Sequence, residues 1–370
     1  MNSLWKEMTV GEIIQLEYGK PLDESDRKPN GRFPVYGANG EKDRTDKFYH
    51  EKPSIIVGRK GSAGEINLTE PKFWPLDVTY FVTFDEKRHD LRFLYYLLAT
   101  LDLPKLAKGV KPGINRNEVY SQVAKVPSLP EQLRIVGIVD EVFEGIATAK
   151  ANAKENFKNS RALFESHLQS VFSRRGKIWK NRRLGEIAEV QSGGTPSVSQ
   201  KNYWGGNIPW YSSGELNETH TTDPERKITE EGLNASNAKM FPKGSLLVGM
   251  YDTAALKMSI LDRDGTFNQA IAGVKPNDKI VTEFILHAIN ANKPRLLLER
   301  RGVRQKNLSL GKIKEIEIPL PDVAEQRSVV SRLNSVIAET RHLESVYQRK
   351  LSALDALKKS LLHQAFSGKL

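Results

Sequence analysis

The fold is decided by two related stretches of sequence, EQLRIVGIVDEVFEGIATAKANAKENFKNSRALFESHLQSVF at residues 131–172 and EQRSVVSRLNSVIAETRHLESVYQRKLSALDALKKSLLHQAF at residues 325–366. Neither stretch contains proline, and in both the apolar residues recur at alternating spacings of four and three. This alternation is typical of a coiled-coil seam, so we predict one long helix in each stretch. The seam residues are Val136, Val139, Phe143, Ile146, Ala153, Phe157, Phe164 and Val171 in the first stretch, and Val330, Leu333, Ile337, Tyr347, Leu351, Leu354, Leu361 and Ala365 in the second.

Each predicted helix follows a proline-bearing segment, which is a natural helix boundary: Pro127 and Pro130 in one case, Pro319 and Pro321 in the other. At 1.5 Å per residue each helix would be roughly 60 Å long, which is too long for an internal helix of a compact domain. A small helical bundle is the alternative, but a spacer of two helices packed on each other explains the length better. The residues expected to pair the helices or to bind a partner protein are Val139, Phe143, Ile146, Phe157, Phe164, Leu333, Ile337, Tyr347, Leu351 and Leu354.

The chain repeats itself once, which makes it a duplication and not a solenoid. Trp5 is followed by Val-Gly-Glu-Ile at residues 10–13, and Trp179 is followed at the same spacing by Leu-Gly-Glu-Ile at residues 184–187. Because the two tryptophans occupy equivalent positions before a first strand, we predict that they pack in a core and do not stack on bases. Between the matched ends the two halves differ strongly.

The variable stretches are predicted to be mixed α/β domains. Short β-rich runs at residues 54–58, 78–82 and 246–249 are bounded by glycine and proline, and helices are expected at residues 90–101 and 282–292. The predicted fold class is α+β, with two such domains joined by two long antiparallel coiled-coil helices and related by a pseudo-twofold repeat. The expected boundaries are 1–128 for the first domain, 129–175 for the first helix, 176–320 for the second domain and 321–370 for the second helix.

Composition narrows the class of protein. The 370 residues carry 56 Lys+Arg against 45 Asp+Glu, a net charge of +11 that favours a polyanionic partner such as double-stranded DNA. The chain has no cysteine, which removes disulfides, cysteine zinc sites and thiol nucleophiles. No apolar run approaches the ~18 residues that span a membrane. We therefore expect a cytoplasmic protein with no membrane partner.

Glycine-flanked basic segments are the candidate DNA-binding residues, because Lys and Arg bind phosphate and glycine lets the backbone approach. Two such segments lie in the first half and one lies in the second. A Gly-Val-basic core is shared between the second-half segment and one of the first-half segments. For each segment, an ordinary surface turn is the alternative. Arg, Asn and Gln in these loops could also read base edges. The candidates are Arg59, Lys60, Lys108, Lys111, Asn115, Arg116, Tyr251, Lys257, Arg301, Arg304 and Lys306.

Enzymatic alternatives rest on weaker patterns. Asn207-Ile208-Pro209-Trp210 loosely resembles the loop with which amino-methyltransferases hold a flipped base, but no Gly-x-Gly follows any predicted strand. Asp77 with Asp85-Glu86-Lys87 could supply carboxylates and a lysine to a nuclease, but the pattern is imperfect and absent from the second half. A third alternative is a structural coiled-coil adaptor for proteins. No phosphate-binding loop for ATP occurs, and the seven histidines have no metal-ligand spacing.

The motifs, taken in order, resemble the specificity subunit of a type I restriction–modification system over essentially the whole chain. In the second half these motifs are residues 184–188, 193–197 and 203–210, the Ile-Pro-Leu-Pro segment at 318–321 that leads into the second predicted helix, and the last residues, 364–370. In the first half Pro34–Gly40 and Val57–Gly64 are also similar to family motifs. The first half departs in one place, with Tyr18-Gly19-Lys20-Pro21 where the second has Gly-Gly-Thr-Pro.

The resemblance implies a non-catalytic subunit with two target recognition domains, each reading one half of a bipartite, gapped DNA sequence. It also implies two methyltransferase subunits and restriction/translocase subunits as partners, which dock on this chain. The helices would set the gap and form the docking surface for the methyltransferase. No cofactor is expected in this chain; S-adenosylmethionine, ATP and Mg²⁺ would belong to the partner subunits.

Overall fold

The computed structural model describes residues 5–173, 179–299 and 308–369. The chain forms two compact units, Met1–Lys154 with Gln348–Leu370, and Glu155–Tyr347. Each unit contains one variable domain and parts of both long helices. In the described ranges no helix is long and apolar enough to cross a lipid bilayer.

The variable domain of the first unit contains three sheets. A four-stranded antiparallel sheet has the order β2-β8-β5-β6, a three-stranded sheet has the order β4-β3-β7 with β3 and β7 parallel, and β1 pairs with β9. The strands are β1 (Lys6–Thr9), β2 (Ile14–Tyr18), β3 (Phe33–Gly37), β4 (Gly40–Thr45), β5 (Ile55–Gly58), β6 (Ile66–Leu68), β7 (Trp74–Pro75), β8 (Thr79–Phe84) and β9 (Val123–Val126). The helices are α1 (Val10–Ile13), α2 (Leu91–Thr100), α3 (Arg116–Tyr120) and the first long helix, α4 (Leu129–Ser173).

The variable domain of the second unit has the same topology. Its four-stranded sheet has the order β11-β17-β14-β15, its three-stranded sheet β13-β12-β16 with β12 and β16 parallel, and β10 pairs with β18. The strands are β10 (Lys180–Arg183), β11 (Val190–Ser192), β12 (Trp204–Tyr211), β13 (Arg226–Ile228), β14 (Leu246–Gly249), β15 (Met258–Ile260), β16 (Thr266–Phe267), β17 (Ile271–Val274) and β18 (Glu317–Leu320). The helices are α5 (Leu184–Ile187), α6 (Glu230–Asn234), α7 (Thr282–Glu299), α8 (Leu310–Lys314) and the second long helix, α9 (Val323–Phe366).

The predicted α+β class and internal repeat are confirmed, because each strand pairing of the first domain has its counterpart in the second. The two predicted long helices are also confirmed. Their antiparallel course is visible within the first unit, where Lys358 Nζ lies 4.6 Å from the centre of the Phe143 ring and Lys150 pairs with Asp355 at 2.5 Å. As residue numbers increase along α4, the numbers of the contacting residues on α9 decrease.

The core of the first unit lies between the four-stranded sheet and three helices. Phe93 and Leu94 of α2 are fully buried, and the start of α4 contributes Val139. The end of α9 completes this core: Ala365 is fully buried, and the Phe366 ring lies 4.9 Å from that of Phe93. The core of the first unit is therefore built from two separate parts of the chain, the N-terminal part and the end of α9.

The core of the second unit is assembled in the same way. Leu168 and Phe172, near the end of α4, pack with Phe284 of α7, and Leu333 of α9 is fully buried in the same cluster. The Trp179 ring lies 5.9 Å from that of Phe284. Trp5 and Trp179 both pack against the core of their unit, as predicted.

A buried histidine in the second unit is expected to make that unit sensitive to acid. His287 of α7 is 4% exposed and lies edge-on to Phe164, and its Nδ1 has no hydrogen-bond partner in the part of the chain that the structure describes. Burial lowers the pKa of His287, because the charged ring loses hydration that Glu283 replaces only in part. Below the ordinary histidine pKa of about 6.5 the unfolded chain binds a proton at this residue more readily than the folded unit does. The free energy of unfolding therefore decreases as the pH is lowered.

We expect the amides of α7 to lose protection from hydrogen exchange between pH 7 and pH 5.5, after correction for intrinsic exchange rates. The variant His287→Leu should flatten this dependence, because it removes the titrating ring from the core. The variant His342→Leu, at an exposed position of α9, is the matched control and should retain it. An unchanged pH dependence in His287→Leu would assign the effect to another group.

Candidate nucleic-acid interface

Three segments of the first domain meet beside the end of β5. The backbone N–H of Arg59 donates to the Val78 carbonyl at 2.9 Å, and the Arg59 carbonyl accepts from Ile114 N at 3.0 Å. A tight turn closed by two hydrogen bonds of 3.0 Å joins Lys108 to Gly113. The structure therefore brings together the candidate segments that carry Arg59, Lys60, Lys108, Lys111, Asn115 and Arg116, which are separate in sequence.

These residues have different local roles. The side chain of Asn115 caps α3 by accepting from Asn117 N at 2.9 Å, so its oxygen is already used within the fold. Lys108 pairs with Glu118 at 2.5 Å. Lys60 and Lys111 are exposed, and no ion pair to either is found among the described residues. Lys60 and Lys111 are therefore more available to an anionic ligand than Lys108 is.

An exposed tyrosine that sequence reasoning did not select lies at the centre of the cluster. Tyr18, the last residue of β2, is 46% exposed, and its ring lies edge-on to that of Tyr80 at 5.1 Å. The guanidinium carbons of Arg59 and Arg116 both lie 5.3 Å from the centre of the Tyr18 ring. The only sequence signal was the departure at Tyr18-Gly19, where the other half has two glycines.

The second domain repeats this framework with other side chains. Met250 follows β14 as Arg59 follows β5, and its carbonyl accepts from Leu308 N at 2.8 Å. Ser309 caps α8 as Asn115 caps α3. Tyr251 is 36% exposed, and Lys257 donates to the Asn217 side chain at 2.9 Å. The candidates Arg301, Arg304 and Lys306 lie outside the described residues.

A glycine-rich loop of the second domain borders a polar cavity. The indole N–H of Trp210 donates to the Gly194 carbonyl at 3.0 Å, and Thr195 is hydrogen-bonded to Gln269. The Arg226 guanidinium stacks on Trp204 with its carbon 3.6 Å from the ring centre. The cavity, of about 470 Å³, is lined by Ser192, Gly193, Gly194, Thr195, Asn237, Lys239 and Gln269. Arg226 and Lys239 were not among the sequence candidates, because neither lies in a glycine-flanked basic run.

The predicted interhelix residues are all at least half-buried. Val139 and Ile146 are buried on α4, and Leu333 is buried on α9. The remaining members are partly buried, namely Phe143, Phe157, Phe164, Ile337, Tyr347, Leu351 and Leu354. Within the second unit Arg161 of α4 also pairs with Glu344 of α9 at 2.7 Å.

The segments proposed for enzymatic roles have structural roles here. Asn207–Trp210 lies inside β12, where Trp210 is buried. Asp85 accepts from Lys87 N at 3.0 Å in a turn, and Glu86 pairs with Lys52 on the surface. In the described part of the chain no three His, Asp or Glu side chains are grouped so that they could hold a metal ion.

Comparisons with known proteins agree on one family. Residues 2–156 and 177–351 both match the family model for the type I restriction modification DNA specificity domain. The EcoR124I/EcoR124II specificity subunit of Escherichia coli is 28% identical over 72% of this chain and 68% of its own length. The EcoDI specificity subunit of Escherichia coli is 21% identical over 99% of this chain and 88% of its own.

Solved structures show the same fold. The HsdS subunit from Thermoanaerobacter tengcongensis has a TM-score of 0.67 at 18% identity, over 100% of this chain and 98% of its own. A chain from a study of complex assembly and conformational transition in the type I R-M system has a TM-score of 0.79 at 19% identity, over 99% of this chain and 98% of its own.

Proposed function

Because the chain belongs to the type I restriction–modification DNA specificity family, we propose that its two units read the two unlike halves of one bipartite DNA target. The chain is a specificity subunit: it recognises a DNA sequence and is not itself an enzyme. One observation supports the bipartite target above all others. The same strand order occurs twice, yet the loops at equivalent strand ends carry different side chains, such as Arg59 in one unit and Met250 in the other.

Different side chains on one framework favour two different half-sites. Base readout depends on the donors and acceptors that reach the groove, whereas the framework only positions them. In the first domain the available groups are cationic, and in the second the cavity at Gly194 combines amide and hydroxyl groups with the cation of Lys239. Two identical readers would instead suit a symmetric target.

The partners of a specificity subunit are DNA and the other subunits of the type I complex. More specifically, we propose two methyltransferase subunits, together with restriction/translocase subunits. S-adenosylmethionine, ATP and Mg²⁺ would then be bound by those partners and not by this chain. Because such a complex acts on cellular DNA, we place it in the cytoplasm. The long helices, which carry half-buried apolar residues such as Tyr347 and Leu351, are the proposed docking surface.

The test is co-expression of this chain with its cognate methyltransferase subunit, followed by mapping of methylated adenines in the host DNA. We expect a gapped motif with two unlike halves, and no methylation from the methyltransferase subunit alone. A continuous palindrome would contradict two different readers. Absence of methylation by a purified complex that is assembled and folded would contradict DNA recognition and favour a protein adaptor.

A further inference from the structure

Two arginines of the first domain converge on one exposed aromatic ring. Arg59 follows β5 and Arg116 begins α3, and each guanidinium carbon lies 5.3 Å from the centre of the Tyr18 ring. Tyr80, which is 3% exposed, supports the Tyr18 ring from its edge. The two cations are therefore held on a platform, the Tyr18 ring, which packs against buried Tyr80 and is open to solvent.

The charge of this platform is not neutralised within the fold. The two guanidiniums share one ring and so lie within about 11 Å of each other, where like charges repel. Among the described residues neither has a carboxylate within ion-pair distance. The Nε of Arg59 is also buried without a hydrogen-bond partner in that part of the chain. A ligand that offers several acceptor atoms would pair with the terminal N–H groups of the two guanidiniums.

Arg59 combines a fixed backbone with a planar side chain, which the nearby lysines lack. Its backbone is held on both sides, by hydrogen bonds of 2.9 Å to Val78 and 3.0 Å from Ile114. A fixed, planar guanidinium presents parallel N–H groups and matches an acceptor pair in one plane, whereas a flexible ammonium acts as a point charge. In the major groove that acceptor pair is O6 and N7 of guanine. Exposed Lys60 and Lys111 are suited to phosphates instead.

We propose that Tyr18, Arg59 and Arg116 form the base-reading element of the first unit and recognise guanine, while Lys60 and Lys111 contact the DNA backbone. The arginines donate to guanine O6 and N7. Tyr18 acts as a positioning residue, because its ring holds the guanidinium planes. This inference rests on the proposed function and adds the prediction that one half-site contains at least one essential G·C pair.

The test uses the complex with the methyltransferase subunit and two measurements on each variant, the methylated motif and the salt dependence of binding to duplex DNA. Arg59→Lys and Arg116→Lys keep the charge but lose the planar fork. We expect at least one of them to relax one G·C position of one half-site, with a loss of discrimination of about tenfold or more and an unchanged salt slope. The other half-site should stay as in the wild type.

Matched variants separate base reading from phosphate contact. Lys111→Ala should weaken binding to all sequences alike and reduce the salt slope by about one, without changing the motif. Tyr18→Phe keeps the ring and should behave as the wild type, whereas Tyr18→Ala should relax the same position as the arginine variants. Thermal melts of each complex confirm that the variants are folded.

The outcomes distinguish this inference from the proposed function. If the wild-type complex produces no gapped motif, both fail. If the wild type produces one and the variants Arg59→Lys, Arg116→Lys and Tyr18→Ala all leave it unchanged, only the base-reading role is wrong. Charge-removing variants, Arg59→Ala and Arg116→Ala, complete the test: if they lower the salt slope without relaxing any position, the arginines are phosphate contacts, which also contradicts the inference.

Discussion

Replacing Gln132 with leucine is expected to destabilise the first unit by about 3–5 kcal/mol. Gln132 is fully buried at the start of α4, where its Nε2 donates to the carbonyls of Arg88 at 3.0 Å and Pro127 at 2.9 Å. Its Oε1 accepts from Asp90 N at 3.0 Å. Leucine fills a similar volume but leaves three backbone groups without partners, and each such group costs about 1–3 kcal/mol when it stays dry.

Denaturant unfolding of the variant, followed by hydrogen exchange at the Asp90 amide, measures this effect. Gln326→Leu should destabilise the second unit in the same way, because Gln326 contacts Pro321, Lys279 and Val281 through the equivalent groups. The control is Gln348→Leu at an exposed position of α9, for which a change within about 0.5 kcal/mol is expected. Equal stabilities of Gln132→Leu and Gln348→Leu would show that water replaces the lost partners.

This pair of glutamines illustrates what sequence could predict. The Glu-Gln repeat at 131–132 and 325–326 and the alternating apolar residues were enough to predict both helices, because these are local patterns. The role of the glutamines was not predictable. Their partners are backbone groups from distant segments, and the identity of a side chain does not determine where a backbone carbonyl lies.

The candidate site likewise contains features that the sequence could predict and features that it could not. The two glycine-flanked basic segments predicted for the first domain lie next to each other there, and they could be selected because glycine and charge are visible in sequence. The same reasoning selected Asn115 as a candidate DNA contact, which stays a prediction; the capping of α3 by its side-chain oxygen was not foreseen. Tyr18 was missed, because a single aromatic residue at a strand end has no periodicity and gains meaning only when Arg59 and Arg116 converge on it.

The second large effect concerns the turn that carries Arg59. Gly58 ends β5, and its carbonyl accepts from Gly64 N at 2.7 Å to close the turn. A Cβ atom at Gly58 would lie 2.1 Å from the carbonyl oxygen of Ser62 and 2.9 Å from that of Ala38. Both obstacles are backbone atoms, so they cannot rotate away as a flexible side chain could.

We expect Gly58→Ala to destabilise the first unit by about 3 kcal/mol or more, because the turn must open to admit the methyl group. Gly249→Ala should act likewise in the second unit, where the Cβ would lie 2.2 Å from the Ala254 carbonyl oxygen. The control is Gly145→Ala on the exposed face of α4, where nothing lies within 4 Å of the new atom and alanine should stabilise the helix by about 1 kcal/mol. Denaturant unfolding of the three variants gives the comparison. A stabilising effect of Gly58→Ala would mean that the turn is looser than its contacts indicate, and Arg59 would then lack the rigid support on which planar base recognition depends.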